Sequence, residues 1–503
     1  MQPVYVAGIA MTRFGKDPRP LVAIFKQAAQ EALADANLDG VDALYIGVMN
    51  CEEFTGDSNI ASQLVDALGV TGTPALRVET ASSAGAAALF TGFQAIASGY
   101  YRRVLVLGGE KMTHLNTSTT TRVLAEVIDQ QERQCGATMP ALAAMITEKY
   151  RRKYHFSQSR LENMMCAVAM KNHLNGARNP FAQFQKPISR AAYFASKLVA
   201  TPLRLYDCAP ITDGAAAVIL TAEKTDVRLS GIGQGTGPLS LRDRETFTSF
   251  PATQIAAARA YQMAGVAPQD IDFAEVHDAF TPLEIITTED LGFFPAGKGG
   301  DAVLAGKTAI EGPLPINPSG GLKARGHPVG ASGLAQIVEM VKRLRGQTQS
   351  TREFRRGLSQ STGGLATNNF VTILERIDAP APRPPAPTVP ASPVVSKKKP
   401  STPSHTSDEG TIETFTVVYV TPDGFLPPLA LALVRQRNGR LLLAQGEDIS
   451  HLKIGRKVYL RQMDGYALFT VKSHLQKVQD SLSKLLGRRT ASSSKQESSG
   501  DKT

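Results

Sequence analysis

From Asp378 to about Gly410 the chain reads DAPAPRPPAPTVPASPVVSKKKPSTPSHTSDEG, and this stretch constrains the fold more than any other. Dominated by Pro, Ala, Ser and Lys, it has too little apolar side chain to offset the entropy of ordering itself, so it is expected to be a disordered linker over residues 378–409. It divides the chain into a long region ending at Ile377 and a short one. At 503 residues, with roughly 150 per domain, about three globular units are expected.

Before the linker, short apolar runs such as VLVLGG (Val104 to Gly109) alternate with Ala-rich helical stretches such as SAGAAALFTGFQAIASG. That pattern predicts an α/β region, divided into an N-terminal half over 1–225 and a C-terminal half over 226–377. After the linker, IETFTVVYV, LALALVRQRNGRLLLAQ, KVYLRQM and YALFTVK are short β-rich segments, the second turned at Asn438-Gly439 as in a two-residue hairpin. A small all-β barrel over 410–472 is the expectation. Leu475, Val478, Leu482 and Leu485 then recur at helical spacing, so 473–503 is expected to form an amphipathic helix and a disordered tail.

With 42% apolar and 20% charged residues, the composition has the balance of a globular enzyme. The net charge of +10 raises the question of nucleic acid. No recognisable reader module accompanies it, and much of the visible clustering lies in Lys397–Lys399 and near Arg488 and Arg489. No nucleic-acid partner is expected. The first residues lack the pattern of a secretory signal and no stretch reaches eighteen uninterrupted apolar residues, so the reading is cytoplasmic with no membrane partner. Cys51, Cys135, Cys166 and Cys208 are scattered without a CxxC pair, which points to reduced thiols and no metal site.

Four segments carry chemistry. In RVETASSAGAAAL (Arg77 to Leu89) a strand-like opening gives way at Ser82 or Ser83 to a small-residue helix, whose free backbone N–H groups and positive dipole end suit an oxyanion. Taken alone, Ser82 reads as a helix cap. EVHDAFT (Glu275 to Thr281) sets His277 at a strand-to-helix junction. The glycine-rich NPSGGLKARGHPVGASG (Asn317 to Gly333) places His327 between Gly326 and Pro328, and its glycines imply close backbone approach. GLSQSTGGLATNNFVTILE (Gly357 to Glu375) sets Ser361 just ahead of Gly363 and Gly364 between two strand-like runs.

Each segment alone is weak, but their order and spacing together resemble the thiolase superfamily, most closely its sterol-carrier-protein type, with HDxF where degradative thiolases carry an asparagine motif. The resemblance covers Met1 to about Ile377 and includes GEKMTHL (Gly109 to Leu115), VAMKNHLNGARNPFAQF (Val168 to Phe184) and PLRLYDCAPITDGAAAVIL (Pro202 to Leu220). It implies a thiolase fold, two βαβ-rich halves packed as a five-layer sandwich, with a loop region at about 112–203 covering coenzyme A. It also implies that Ser82 occupies the place of the nucleophilic cysteine and Ser361 that of the second, acid–base cysteine. His327 matches the residue that activates the nucleophile and lines one oxyanion hole; His277 matches the residue that supports it through water. The amides of Ser82 and Gly363 match the second oxyanion hole, and Gly326, Gly330, Ala331 and Ser332 are expected against coenzyme A.

Both thiols are therefore replaced by serine. A thiol of pKa about 8.5 is readily made nucleophilic by a histidine and a helix N-terminus, whereas a hydroxyl is far less acidic. The favoured expectation is retro-aldol cleavage of a 3-hydroxyacyl-CoA, which needs no acyl-enzyme; the alternatives are acetyl-CoA acyltransferase chemistry through Ser82 and a non-catalytic coenzyme A-binding subunit. No permanently bound cofactor is implied, coenzyme A being part of the substrate. By resemblance the barrel is an OB-fold of the kind that accompanies thiolase-like enzymes, and the expected partners are a second copy in a homodimer and a hydratase or dehydrogenase chain.

Overall fold

The computed structural model describes residues 1–134, 136–241, 243–350, 352–377, 409–418, 429–439, 441–447, 452–462 and 467–471. The proposed linker up to residue 408 and the proposed helix and tail beyond residue 472 lie outside the described residues. The chain forms two compact units, residues 1–385 and 386–503.

The first unit is built on a nine-stranded sheet. Its strands are β1 (Val4–Met11), β2 (Ala43–Gly47), β3 (Ala75–Val78), β4 (Arg103–Glu110), β7 (Gly214–Thr221), β8 (Val227–Thr236), β9 (Phe273–Glu275), β10 (Arg356–Gly363) and β11 (Asn368–Arg376); β5 (Leu198–Ala200) and β6 (Leu203–Arg204) form a separate pair. The order is β3-β2-β4-β7-β1-β8-β11-β10-β9. The two halves meet where β1 pairs antiparallel with β8 through Val4↔Leu229 to Val6↔Val227. Helices Ala84–Ala97 and Ser332–Leu344 pack on each other, and the second of them spans the halves by lying on both β7 and β10. Leu21–Asp35 lies on β1 and β7, and Pro251–Ala264 on β8 and β11. The unit is mixed α/β, built around one large sheet as the resemblance implies. The core beneath these helices is apolar: Val104, Val218, Leu220, Leu334, Ile337, Val341 and Leu374 are all sealed from solvent.

A signal absent from the sequence reading explains how closely one helix lies on the sheet. Gly231, Gly233 and Gly235 recur with the period of two that puts them on one face of β8, and a Cβ on them would strike the carbonyl oxygens of Ala260, Ala256 and Ala252 respectively. Those alanines recur at i, i+4 on the Pro251–Ala264 helix, so backbone meets backbone along a stripe of small residues.

Residues 112–203 are largely helical rather than loop. Met139–Lys153, Gln158–Gly176 and Arg190–Ala195 enclose a separate apolar cluster, with Leu142, Ile146, Met164, Met165 and Val168 packed with Leu283 and Ile286 of the Thr281–Asp290 helix.

In the second unit β12 (Glu409–Val418), β13 (Leu429–Gln436), β14 (Leu441–Gly446), β15 (Lys457–Gln462) and β16 (Ala467–Val471) close a barrel in the order β12-β13-β14-β16-β15. Ile412, Val434, Val458 and Phe469 fill it. The β13–β14 hairpin turns at Arg437–Gly439, where Asn438-Gly439 predicted it. Gly439 sits there at φ +81°, with its N–H bonded to Gln436 O.

Candidate active site

Four segments distant in sequence converge at the ends of the central strands and helices. The turn after β3 carries Ala81 at φ +55°, a left-handed conformation that costs an alanine free energy. Ser82 follows it, partly exposed. The helix begins at Ala84, and its N-cap is Ser83, whose hydroxyl donates to Thr80 O at 2.7 Å and makes no cap bond. Ser82 is therefore not the cap, and the plain structural reading of that serine is corrected.

Gly363, at the end of β10, closes onto this turn. A Cβ there would stand 2.6 Å from Ser83 Oγ and closer still to Thr80 O, so only glycine lets the two backbones meet. Ser361 lies two residues earlier on the same face of β10; its hydroxyl is buried with no hydrogen-bond partner among the described residues, and a Cβ on Gly333 would lie 2.9 Å from it.

The imidazoles of His277 and His327 meet edge to face, with centroids 5.1 Å apart and planes at 87°. His277 follows β9 and is buried; its backbone N–H donates to Gln360 Oε1 at 3.1 Å. Thr362 N–H donates to its Nδ1 at 3.2 Å, so that nitrogen is the acceptor and the neutral ring carries its proton on Nε2. His327 is partly exposed, so a ligand can reach it. Its backbone N–H donates to Thr212 Oγ1 at 2.9 Å, and its Nδ1 lies 2.6 Å from Ser332 Oγ.

Burial, then the neighbouring His327 and Arg325, holds the His277 pKa well below the usual imidazole value. Burial, then the Arg325 charge, holds His327 down at about 3. Both rings are neutral at pH 7.

Gly326, at φ +114°, Gly330, Ala331 and Ser332 do not stand open to a ligand: Gly330, Ala331 and Ser332 are buried in the chain itself, and so is Gly326. A Cβ on Gly330 would lie 2.9 Å from Gly47 O, and Ser332 is occupied by His327 and by Pro328 O. Of the four, Ser332 is the one whose side chain contacts His327.

The frame beneath the histidines was not assigned from the sequence. Asp278, inside the quoted EVHDAFT motif, accepts Leu322 N–H at 2.6 Å and Asn172 Nδ2 at 2.7 Å. Glu275 accepts Ser319 N–H at 3.0 Å and Ser319 Oγ at 2.6 Å, and Asn317 Oδ1 accepts Val276 N–H at 2.8 Å. These bonds lock the His277 segment to the one that carries His327. Asp213 does the same for the GEKM and TDG motifs, taking Met112 and Thr113 N–H and pairing with Lys111 at 2.9 Å. Glu110 is fully buried, accepts Met49 N–H at 2.9 Å, and burial pushes its pKa up to about 8.

No described cysteine takes over as nucleophile. Burial pushes the Cys51 and Cys208 thiols up to about 12 and raises Cys166. Cys51 is the first residue of a short helix, Cys51–Thr55, and is buried; Cys135 lies outside the described residues. Among those residues no group of His, Cys, Asp and Glu could hold a metal, and no helix is long and apolar enough to cross a membrane.

Residues 4–224 match the model of the thiolase N-terminal domain and residues 233–376 that of the thiolase C-terminal domain-like family. The chain belongs to the thiolase family. It is 40% identical over 392 residues to an acetyl-CoA acetyltransferase of Methanothermobacter thermautotrophicus, covering 75% of this chain and 100% of that one. It is 34% identical to sterol carrier protein 2 of Oryctolagus cuniculus over 68% of this chain and 66% of that protein. Among solved structures, the Ltp2-ChsH2(DUF35) aldolase superposes with a TM-score of 0.64 at 24% identity, over 75% of this chain and 98% of that one. A monomeric SCP2-thiolase-like protein of Mycobacterium smegmatis gives 0.59 at 17% identity over 93% and 99%. At those identities the structures show the fold alone. This thiolase-family chain is accordingly a thiolase-like enzyme of acyl-CoA chemistry.

Proposed function

We propose that this thiolase-family chain cleaves the C2–C3 bond of a 3-hydroxyacyl-CoA by a retro-aldol step. The observation that carries the reading is the neutral histidine pair: His277 presents a proton on Nε2, fixed by the Thr362 amide, beside a partly exposed and equally neutral His327. A thioester enolate needs hydrogen-bond donors placed where its charge develops, in a site shielded from water. In the step the 3-hydroxyl loses its proton, C2–C3 breaks, the new carbonyl leaves as ketone or aldehyde, and C2 of the enolate takes a proton. The net reaction consumes no acid.

An acyl-enzyme on Ser82 is disfavoured by its energetics: the oxygen ester that would form is more stable than the thioester, so returning the acyl group to coenzyme A would run uphill. Acyltransferase chemistry through Ser82 remains the second reading, favoured by the strained turn that presents Ser82 and by the name of the 40%-identical relative. A further relative, 32% identical, is named as a benzoylsuccinyl-CoA thiolase subunit and the aldolase is named Ltp2-ChsH2(DUF35), which supports a companion chain here. The homodimer, the OB-fold identity of the barrel and the cytoplasmic location belong to the same proposal.

One experiment separates the readings. Wild type and Ser82→Ala are each given acetoacetyl-CoA plus coenzyme A, and separately a branched 3-hydroxyacyl-CoA. A ketone or aldehyde product that survives Ser82→Ala is expected. Thiolytic cleavage abolished by the substitution sinks the lyase, and coenzyme A binding with no turnover in either tube leaves only a binding subunit.

A further inference from the structure

The Ser332–Leu344 helix starts beside His327. Arg343, eleven residues on, is about 16 Å further along the helix axis. There it lines a separate cavity of about 330 Å³. Arg343 is 7% exposed. Its guanidinium lies 5.6 Å from the Phe273 ring and 5.5 Å from the Phe354 ring, contacts that engage the charge but leave the in-plane N–H groups free. Nη1 is sealed from solvent with no partner, and among the described residues no carboxylate or carbonyl is within hydrogen-bond or ion-pair reach of the group.

A buried guanidinium without an acceptor is costly, because both its charge and its donors have been taken out of water. The nearby carboxylates do not supply what is missing. Glu339 lines the cavity, but its Oε1 already accepts Asn179 Nδ2 at 2.8 Å, and Glu311 is exposed at the rim. Burial lowers the Arg343 pKa in spite of Glu275, Glu339 and Glu311. Two more cations line the same space: Arg178, and Lys342, whose ammonium sits 3.7 Å from the centre of the Phe181 ring. The planar N–H edge of a guanidinium is matched by a carboxylate or a phosphate.

We propose that this cavity binds a small organic oxyanion, a carboxylate or a phosphate monoester, seated on Arg343 with Phe181 flanking its carbon skeleton. The volume is at the lower end of the small-molecule range and suits a metabolite of a few carbons. The site is independent of the thioester reaction.

The test is calorimetric titration of the full chain with inorganic phosphate and, separately, with succinate. Wild type is expected to bind at least one probe saturably with a dissociation constant of about 1 mM or below, and the tighter probe identifies the headgroup. Arg343→Met is expected to weaken binding about tenfold or more, and the paired Arg178→Ala and Lys342→Ala changes, which leave the buried charge alone, about threefold. Binding should persist with coenzyme A saturating. No saturable heat from either probe on wild type overturns the proposal, as does affinity unchanged in every folded variant or competition by coenzyme A. Should circular dichroism show Arg343→Met unfolded, the rim variant decides on the same criterion.

Discussion

Gly363→Ala tests the site at its tightest point. The added carbon would lie 2.6 Å from Ser83 Oγ and nearer still to Thr80 O, where ordinary contact is 3.4–4 Å. Relief at the hydroxyl alone takes 3.4 − 2.6, or about 0.8 Å, and relief at the carbonyl takes more and moves backbone. The turn that moves is the one that presents Ser82, and displacement of about 1 Å at a reacting centre costs about 10²-fold in rate. Overpacking of this kind also costs about 1–3 kcal/mol of stability. The assay is turnover of a branched 3-hydroxyacyl-CoA with urea unfolding in parallel. Adding Ser83→Gly removes one clash and leaves the Thr80 carbonyl, so no rescue is expected. Turnover within about threefold of wild type, at unchanged stability, would refute the reasoning that the two backbones are wedged together.

Three further outcomes are expected. His277→Ala removes an enolate donor and should lower kcat about 10²- to 10³-fold with the fold intact, read at pH 7 under saturating substrate. The folded chain holds His277 and His327 below the ordinary value of 6.5, so the unfolded chain binds protons first as pH falls. Stability should then be lost from about pH 6.5 toward 3, by at most about 1.4 kcal/mol per pH unit for each ring, and His327→Asn should flatten that slope in urea titrations. Glu110 has the opposite sign: its folded pKa is raised to about 8, so wild-type stability should fall as pH rises from about 4.5 to 8, and Glu110→Gln should remove that fall and be the more stable protein at pH 8.

The α/β alternation and the barrel strands were legible because each depends on local hydrophobic periodicity. Ser82, His277, His327, Ser361 and Gly363 could be singled out because their motifs are contiguous in the chain. The glycine stripe of β8 was equally present in SGIGQGTG, but its meaning depends on which helix lies over it. Asp278, Glu275, Asn317 and Ser332 stand within the quoted motifs. Their work is pairwise bonding, either across gaps of 41 and 44 residues or within a single turn, which spacing does not reveal.

By itself, then, the sequence determined the chemistry on offer: two serines, two histidines and a glycine-rich approach. Only the tertiary structure decided the state of those groups. Whether an imidazole is charged depends on how much water and which charges surround it, and burial beside Arg325 makes both rings neutral. Which nitrogen of His277 carries the proton depends on the Thr362 amide, 85 residues away in the chain. Likewise Ser82 and Ser83 are indistinguishable as caps in sequence, and the strained turn at Ala81 with Gly363 pressed behind it assigns the cap to Ser83 and leaves Ser82 partly exposed.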